Sequence, residues 1–567
     1  MNHFPHYRNR TVFSLDGLWD AASLGEHPEP ESFSPGNIQW DGPAAIPGVV
    51  DALPDYRKQR GLFAFRKRVS STTAGKPAVL KFGGLGLWAK LFVDGQALAT
   101  CRTPYAPWEV EVPASEKSER EIILLIDNRF DAQRVPLFDP YFDFYGYGGV
   151  YRSVEWHEVE KLSLERAVVS TVDLKGKVQV EFRFRGKITE ELELRIFFDD
   201  DQQSTTHRIS PDNAGKPLKL TVPSPRPWHP EHPHLHQLKV HCQGEILIER
   251  FGLRKIETKN GKIILNDQPI KLLGYNRHEA HPQFGPALPL SQLVQDLQIL
   301  RQTGCNFIRG SHYPQDQRFL DLCDEMGFLV WEEALGWQAH PEHFANPDFC
   351  DLQETQTRAM VRTSINHPSI IMWGFLNECD SHLPESEDFI GRLAKAAKEE
   401  DSSRLVTFAS NHPFEERNYR HMDVLAINAY PGWYPEGEHK ERPLEEIEER
   451  IDRLLAHFKK EGVAHKPFLL SEIGAGAIYG WRDELEAHWS EQYQASYLDL
   501  VTKRVLRDPS ICGVALWQFC DGRTYADTRA LGRPRAFNNK GSFDEYRRPK
   551  LAAAVVRQNF RSGSAKV

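Results

Sequence analysis

The chain has 567 residues, a length that predicts two to four domains at ~150 residues each. Its 40% hydrophobic and 26% charged residues are those of a globular protein, and no run approaches the ~18 apolar residues of a spanning helix, which excludes disordered, collagen-like and helical membrane chains. Lys plus Arg number 70 against 79 Asp plus Glu, and the formal charge of −9 supplies no electrostatic pull toward nucleic acid or an anionic bilayer. Aromatic residues make up 11%, with 13 Trp, a composition compatible with sugars bound by stacking.

The N-terminus has no basic start followed by an apolar run, so no secretory signal is expected. Eight cysteines fall at long spacings without a CxxC pair. They read as buried free thiols of a reducing compartment, and a cytoplasmic location is expected.

Residues 1–158 carry short β-like runs broken by Gly, Pro and Asp, among them Val79–Phe82, Leu91–Val93 and Glu121–Ile126. Asp94-Gly95 after the second run is a hairpin turn signal, and the region reads as an all-β sandwich. Residues 159–255 alternate more cleanly. Val178, Val180, Phe182 and Phe184 point one way, and the pattern repeats at Leu192–Ile196, Leu218–Val222 and Leu238–Cys242. Period-2 patterning in four segments predicts a second sandwich, of immunoglobulin size.

From residue 256 to 567 the texture changes. Eight apolar runs alternate with amphipathic stretches: Ile270–Tyr275, Cys305–Arg309, Phe328–Trp331, Ile370–Leu376, Leu405–Phe408, Val424–Tyr430, Phe468–Ile473 and Val514–Phe519. One amphipathic stretch has Leu293, Leu297 and Leu300 before Gly304; another has Leu444, Ile447, Ile451, Leu455 and Phe458 after Pro443. Eight β–α repeats predict a (β/α)8 barrel, in which polar residues at the C-terminal strand ends build the site.

That rule selects Asn377-Glu378 after the fourth run and Glu472 within the seventh. The two strands lie across the barrel mouth, so both carboxyls can face one small volume. A pair flanking a scissile bond is what glycoside hydrolysis needs, one protonated for the leaving group and one ionised. A single such Glu is more simply a salt bridge or a helix cap; two, with Asn before one of them, favour catalysis. Further strand ends supply Asn276 to Glu279, Arg309 to Pro314, Glu332-Glu333, Asn428 to Tyr434, and Trp517-Gln518. His278 or His312 alone is as readily a structural histidine as a ligand-binding one. Trp373 and Trp433 are as readily core, whereas Trp517 is the best placed stacking platform.

These residues carry a resemblance to glycoside hydrolase family 2 that runs through nearly the whole chain. The pieces are Leu15–Trp19, Ile46–Gly48, Tyr147–Arg152, Trp228 with Pro230 and Pro233, Phe251–Arg254, Gly274–Glu279, Arg309–Pro314, Cys323–Gly327, Asn366–Ser369, Asn377-Glu378 and Ser471-Glu472. The resemblance implies two N-terminal β-sandwiches, a jelly roll and an immunoglobulin-like fold, before the catalytic (β/α)8 barrel. It implies a retaining, exo-acting hydrolase with Glu378 as acid/base and Glu472 as nucleophile, so that Glu378 needs a raised pKa in the free enzyme. Asn377 is then placed for the sugar 2-hydroxyl, and Tyr430 to keep Glu472 ionised. Family members are often dimers or tetramers, so a homo-oligomer is expected; no cofactor and no metal is.

The motifs lie closest to the β-glucuronidases. Phe537 to Gly541 resembles the Asn-x-Lys signature that holds the substrate carboxylate, which assigns Asn538 and Lys540 as its readers. Asn428 to Tyr434, with Tyr434 at its end, resembles the glucuronidase pattern at strand six, and Asp143 falls where those enzymes bring a sandwich-domain acid to the sugar. Ala429 and Pro431 depart from the usual Arg and Tyr, and the short segment after Glu333 leaves no room for an entrance-covering loop. The expected substrate is a terminal β-D-glucuronide, with a neutral sugar (a β-galactoside or a pentofuranoside) as the alternative. A non-catalytic carbohydrate-binding protein would keep the sandwiches without needing two facing carboxylates. A metal-dependent barrel hydrolase would have to use His278, His312 and Glu333, which lack a tight His-x-His or HExxH spacing.

Overall fold

The structure, a computed structural model, describes residues 4–27, 29–70, 75–137, 144–200, 203–434, 444–525 and 532–564. The N-terminal third is built from antiparallel sheets. A six-stranded sheet has Glu119–Asp127 at its centre, hydrogen-bonded to Trp88–Val93 on one side and Leu62–Ser70 on the other. Its run Ile122–Ile126 is apolar on both faces because both are covered, and every residue of it is buried. A four-stranded sheet that includes Ala78–Phe82 and Val154–Glu158 packs against it over one apolar core. The predicted hairpin forms: Asp94 and Gly95 both take positive φ, 53° and 81°, and Val93 pairs with Gln96 across them.

Next come a three-stranded sheet containing Lys177–Arg185 and a five-stranded sheet containing Leu192–Phe198 and His236–Cys242. The alternating residues Val178, Val180, Leu194, Ile196, Leu238 and Val240 meet in their shared core. The first strand of the chain, His6–Arg8, closes an edge of this five-stranded sheet by pairing with Glu245–Phe251.

Eight parallel strands then close into the expected barrel: β1 (Leu272–Arg277), β2 (Phe307–Gly310), β3 (Leu329–Glu333), β4 (Ile370–Asn377), β5 (Leu405–Ser410), β6 (Leu425–Asn428), β7 (Phe468–Ile473) and β8 (Ile511–Leu516). Seven apolar runs match their strands to within a few residues. The eighth starts at Ile511, ahead of its run, and takes in Gly513. Gly513 is where β8 meets β1 so closely that a Cβ would lie 2.3 Å from the Leu272 carbonyl oxygen. Trp517 and Gln518 therefore fall just beyond the strand, at the mouth. The helix Leu290–Thr303 buries Leu293, Leu297 and Leu300 and stops at Gly304, whose φ is 90°. The helix Glu446–Lys460 buries Ile447, Ile451, Leu454 and Phe458 on one face; Pro443 lies outside the described residues.

Many of the motif residues outside the barrel mouth are fasteners. Arg152 donates from Nη2 to Glu279 Oε2 at 2.8 Å and to the Pro314 carbonyl at 2.8 Å, tying the first sandwich to the segments after β1 and β2. Tyr105 stacks on Tyr313 across the same junction, with centroids 4.0 Å apart. Arg254 donates to the carbonyls of Pro368 and Ile370, and Asn366 bonds the backbone of Ala167 and Val169, which anchors the second sandwich to the start of β4. Removing such a buried guanidinium would leave several acceptors unpaired at once. All eight cysteines are free thiols, seven of them buried. Among the described residues no helix is long and apolar enough to cross a membrane.

Candidate active site

The site is organised by one cation at the end of β2. Arg309 is fully buried, and its planar guanidinium splits its donors among four other strands. Nε meets Glu333 Oε1 at 2.6 Å, Nη1 meets Glu472 Oε1 at 2.8 Å and Asn276 Oδ1 at 3.0 Å, and Nη2 meets Asn377 Oδ1 at 2.7 Å. The group lies 4.5 Å from the Trp331 ring. Burial opposes its charge, but Glu333 and Glu472 more than offset that, so Arg309 stays protonated.

The two carboxylates on this cation end up differently. Burial pushes Glu333 up, yet Arg309 and His312 overcome it and hold Glu333 below its ordinary value. His312 Nδ1 lies 2.8 Å from Glu333 Oε2. For Glu472 burial wins. Its carboxyl is pushed up to about 8, with Arg309 and the Tyr430 hydroxyl pulling down and the charge of Glu378 pushing further up. Tyr430 donates to Glu472 Oε2 at 2.7 Å.

Glu378 follows directly on β4 with φ of 50°, a left-handed conformation that costs a non-glycine residue about 1 kcal/mol or more. The chain accepts it because the Glu378 N–H is bonded to the Ala409 carbonyl at 2.9 Å, which swings the side chain over the barrel mouth. Asn428 Nδ2 donates to Glu378 Oε1 at 2.9 Å and to Asn377 Oδ1 at 3.0 Å, while Ser471 Oγ donates to Asn428 Oδ1 at 2.7 Å. Glu378 and Glu472 are thus joined through Asn428, Asn377 and Arg309, and both line one cavity of about 580 Å³.

The expected residues distribute as follows. His312, Asn377, Asn428, Tyr430, Tyr434 and Trp517 also line that cavity. Trp517 stacks against His312, with centroids 5.4 Å apart and planes at 15°. Lys540 and Asn538 are buried one layer behind the wall. The Lys540 ammonium donates to the Tyr434 hydroxyl at 2.6 Å, and its backbone N–H bonds Asn538 Oδ1 at 3.3 Å. Arg533, which the sequence does not single out, lines the cavity and donates to the same hydroxyl at 3.2 Å. Asp143 lies outside the described residues. Trp373 is core: its Nε1 donates to Asp401 Oδ2 at 2.9 Å.

In the sequence Arg309 is a polar strand end without a role and Glu333 figures only in the metal-dependent alternative; barrel closure pairs the two. Nor does the sequence foretell the wall built from Glu446, Glu449, Arg450 and Arg453, on the first turns of the helix Glu446–Lys460. These charges occupy the polar face of an amphipathic helix, which in sequence is indistinguishable from a solvated face. The set His278, His312 and Glu333 does not form a metal site. Arg309 fills the position beside Glu333, and His278 Nδ1 faces the Tyr313 hydroxyl at 3.3 Å.

Comparison with known proteins places this geometry. The family model described as Glycosyl hydrolases family 2, TIM barrel domain, matches residues 256–562, and that described as Glycosyl hydrolases family 2 matches residues 160–254. The chain is 29% identical to a β-glucuronidase of Mus musculus over 611 residues, covering 97% of this chain and 91% of that one. It is 30% identical to a β-glucuronidase of Rattus norvegicus over 437 residues, covering 74% and 64%. A β-galacturonidase from Eisenbergiella tayi, solved bound to galacturonate, superposes with a TM-score of 0.88 at 31% identity and 99% coverage of both chains.

Proposed function

From its membership of glycosyl hydrolase family 2, to which the chain belongs and which makes it a glycoside hydrolase, we propose that it releases a terminal β-linked hexuronic acid with retention of configuration. The observation that carries this reading is that two donors, Arg309 and Tyr430, hold the two oxygens of Glu472 while Glu378 faces the same cavity.

A buried pair of interacting carboxyls shares its protons, and near neutrality this pair holds one. Donors on both Glu472 oxygens favour the state in which Glu472 is the anion and Glu378 carries the proton. Glu472 then attacks the anomeric carbon as the glycosidic C–O bond breaks, and Glu378 gives its proton to the departing oxygen. In the covalent intermediate Glu472 has lost its charge, which lowers the affinity of Glu378 for a proton. Glu378 can now take one from the water that attacks the anomeric carbon, and Glu472 leaves as carboxylate. Asn377 has its carbonyl oxygen occupied by Arg309 and Asn428, so its amide N–H is the end that serves the sugar 2-hydroxyl.

Lys540 and Arg533 support the uronic acid. Two cations converge on the Tyr434 hydroxyl at one end of the cavity, where a substrate carboxylate would find charge-assisted donors and a neutral sugar would not. Asn538 positions the Lys540 backbone. A glucuronide is the first reading because the curated relatives are β-glucuronidases; a galacturonide is the second, favoured by the galacturonate-bound structural neighbour.

The test is a panel of nitrophenyl glycosides: β-glucuronide, β-galacturonide, β-galactoside and α-arabinofuranoside. Hydrolysis of one or both uronides, with the β-anomer as first product by NMR, is expected. Glu472→Gln should abolish turnover and still bind the uronic acid. Unchanged turnover in that variant would remove Glu472 as nucleophile, and an α-anomer appearing first would reject the retaining mechanism.

A further inference from the structure

Beyond Glu378 the segment after β4 continues Cys379, Asp380, Ser381, His382, and the segment after β5 opens Asn411-His412. One ligating atom from each of Asp380, His382 and His412 lies within 4.8 Å of the other two. The two imidazoles lie with centroids 4.0 Å apart. Asp380 is paired with a third imidazole, His340, whose Nδ1 is 2.9 Å from Asp380 Oδ2.

A second cluster of similar composition gives the contrast. Asp321, Asp324 and His367 are equally close, but the protein itself satisfies them. Arg250 Nη2 lies 2.6 Å from Asp321 Oδ1 and 3.7 Å from Asp324 Oδ2, and His367 bonds Asp324 and Gln317 through its two nitrogens. At the Asp380 cluster no Lys or Arg is ion-paired to the carboxylate among the described residues. His382 Nδ1 is buried there without a hydrogen-bond partner, and so is Oδ1 of Asn411, which lines the cavity. Buried orphan atoms of this kind mark a missing polar occupant.

We propose that Asp380, His382 and His412 bind a divalent transition metal of the Zn2+ class at the rim of the active-site cavity. Two imidazoles and a carboxylate suit Zn2+, Ni2+ or Cu2+ rather than Mg2+ or Ca2+, which require more oxygens. Three protein ligands leave a position for water. His340, bonded to Asp380 Oδ2, is the outer partner that orients the carboxylate. Such an ion joins the segment that carries Glu378 to the one that carries Asn411, and it lies outside the Glu378–Glu472 pair. Nothing in the sequence spacing announces it, because His412 sits on a different loop from Asp380 and His382, and only the closed barrel makes the two loops neighbours. The inference is independent of which sugar the enzyme takes.

The experiment uses the full-length, untagged chain, stripped with chelator and dialysed. Zn2+ uptake is measured by calorimetry, and Co2+ uptake by the visible bands of the four-coordinate ion. A stoichiometric equivalent of Zn2+ that displaces Co2+, raises the melting temperature and is not replaced by Mg2+ is expected. His382→Ala and His412→Ala should each weaken Zn2+ binding by at least ~100-fold, and His340→Ala by ~10-fold, as for an outer partner. Their circular dichroism without metal should match the parent; if an alanine variant misfolds, His412→Gln and Asp380→Asn carry the same readout. No stoichiometric uptake by the parent chain overturns the proposal. So does undiminished uptake in the ligand variants, which would put the ion elsewhere, for instance at Asp321, Asp324 and His367.

Discussion

The inner end of the cavity and its outer wall are built on opposite plans. At the inner end Arg309, Glu333, Asn377 and Glu472 are each 3% exposed or less, stand on or at the ends of strands, and bond to one another. At the outer wall Glu449 and Arg453 are exposed charges on a helix, with Arg450 and Arg453 resting over Phe414 at 4.7 and 5.0 Å. Charges taken out of water depend on their partners for their whole existence, whereas exposed charges are screened and replaceable. The inner end is therefore fixed by its own electrostatics. The outer wall is free to vary without cost to the fold.

The sharpest ways to break this comparison lie at the inner end. Glu378→Gln should lower kcat/KM by ~10²–10⁴-fold for an aglycone that leaves as an alcohol, and by less for nitrophenol, which departs without a proton. Steady-state rates on both substrates check this; equal losses would remove Glu378 as proton donor. Arg309→Met strands Glu333 and Glu472 without their cation and should destabilise the fold by roughly 3–5 kcal/mol, read by denaturant unfolding. Lys540→Ala should cost a uronide about 10–100-fold in kcat/KM and leave a neutral glycoside unchanged. An equal loss on both would dismiss the carboxylate-reading role.

A pH series sharpens the same point. Burial raises the Glu472 carboxyl to about 8 against its ordinary 4.5, so between those values the folded Glu378–Glu472 pair keeps a proton, held between the two carboxyls, that the unfolded chain has released. Stability contributed by this group falls as pH rises through that window. Glu472→Gln should therefore gain on the parent in melting temperature from about pH 5 to pH 8; a constant difference would show that burial does not raise the group. The smallest effect belongs to the wall. Arg453→Ala should shift stability by less than about 0.5 kcal/mol and change KM only with the aglycone.

Much of this is legible in the chain. The Asp94-Gly95 turn, the helix stop at Gly304 and the placement of Glu378 and Glu472 at the barrel mouth all follow from local rules of turn chemistry and periodicity. The start of β8 is less legible, because a glycine that lets two strands approach, as Gly513 does, shows its use only once the partner strand is known. Arg309 is visible as a polar strand end, but a guanidinium shared by four other strands is a property of closure.

The sequence by itself determined the eight alternating units, the two acidic strand ends and the residue types around them, because apolar periodicity and short motifs are written in neighbouring residues. Only the tertiary structure decided which carboxyls line one cavity, which cation holds Glu472, that Lys540 stands behind Tyr434, and that three loop side chains form a metal-sized cluster. Those outcomes depend on distance and burial between residues far apart in the chain, and a one-dimensional pattern carries neither.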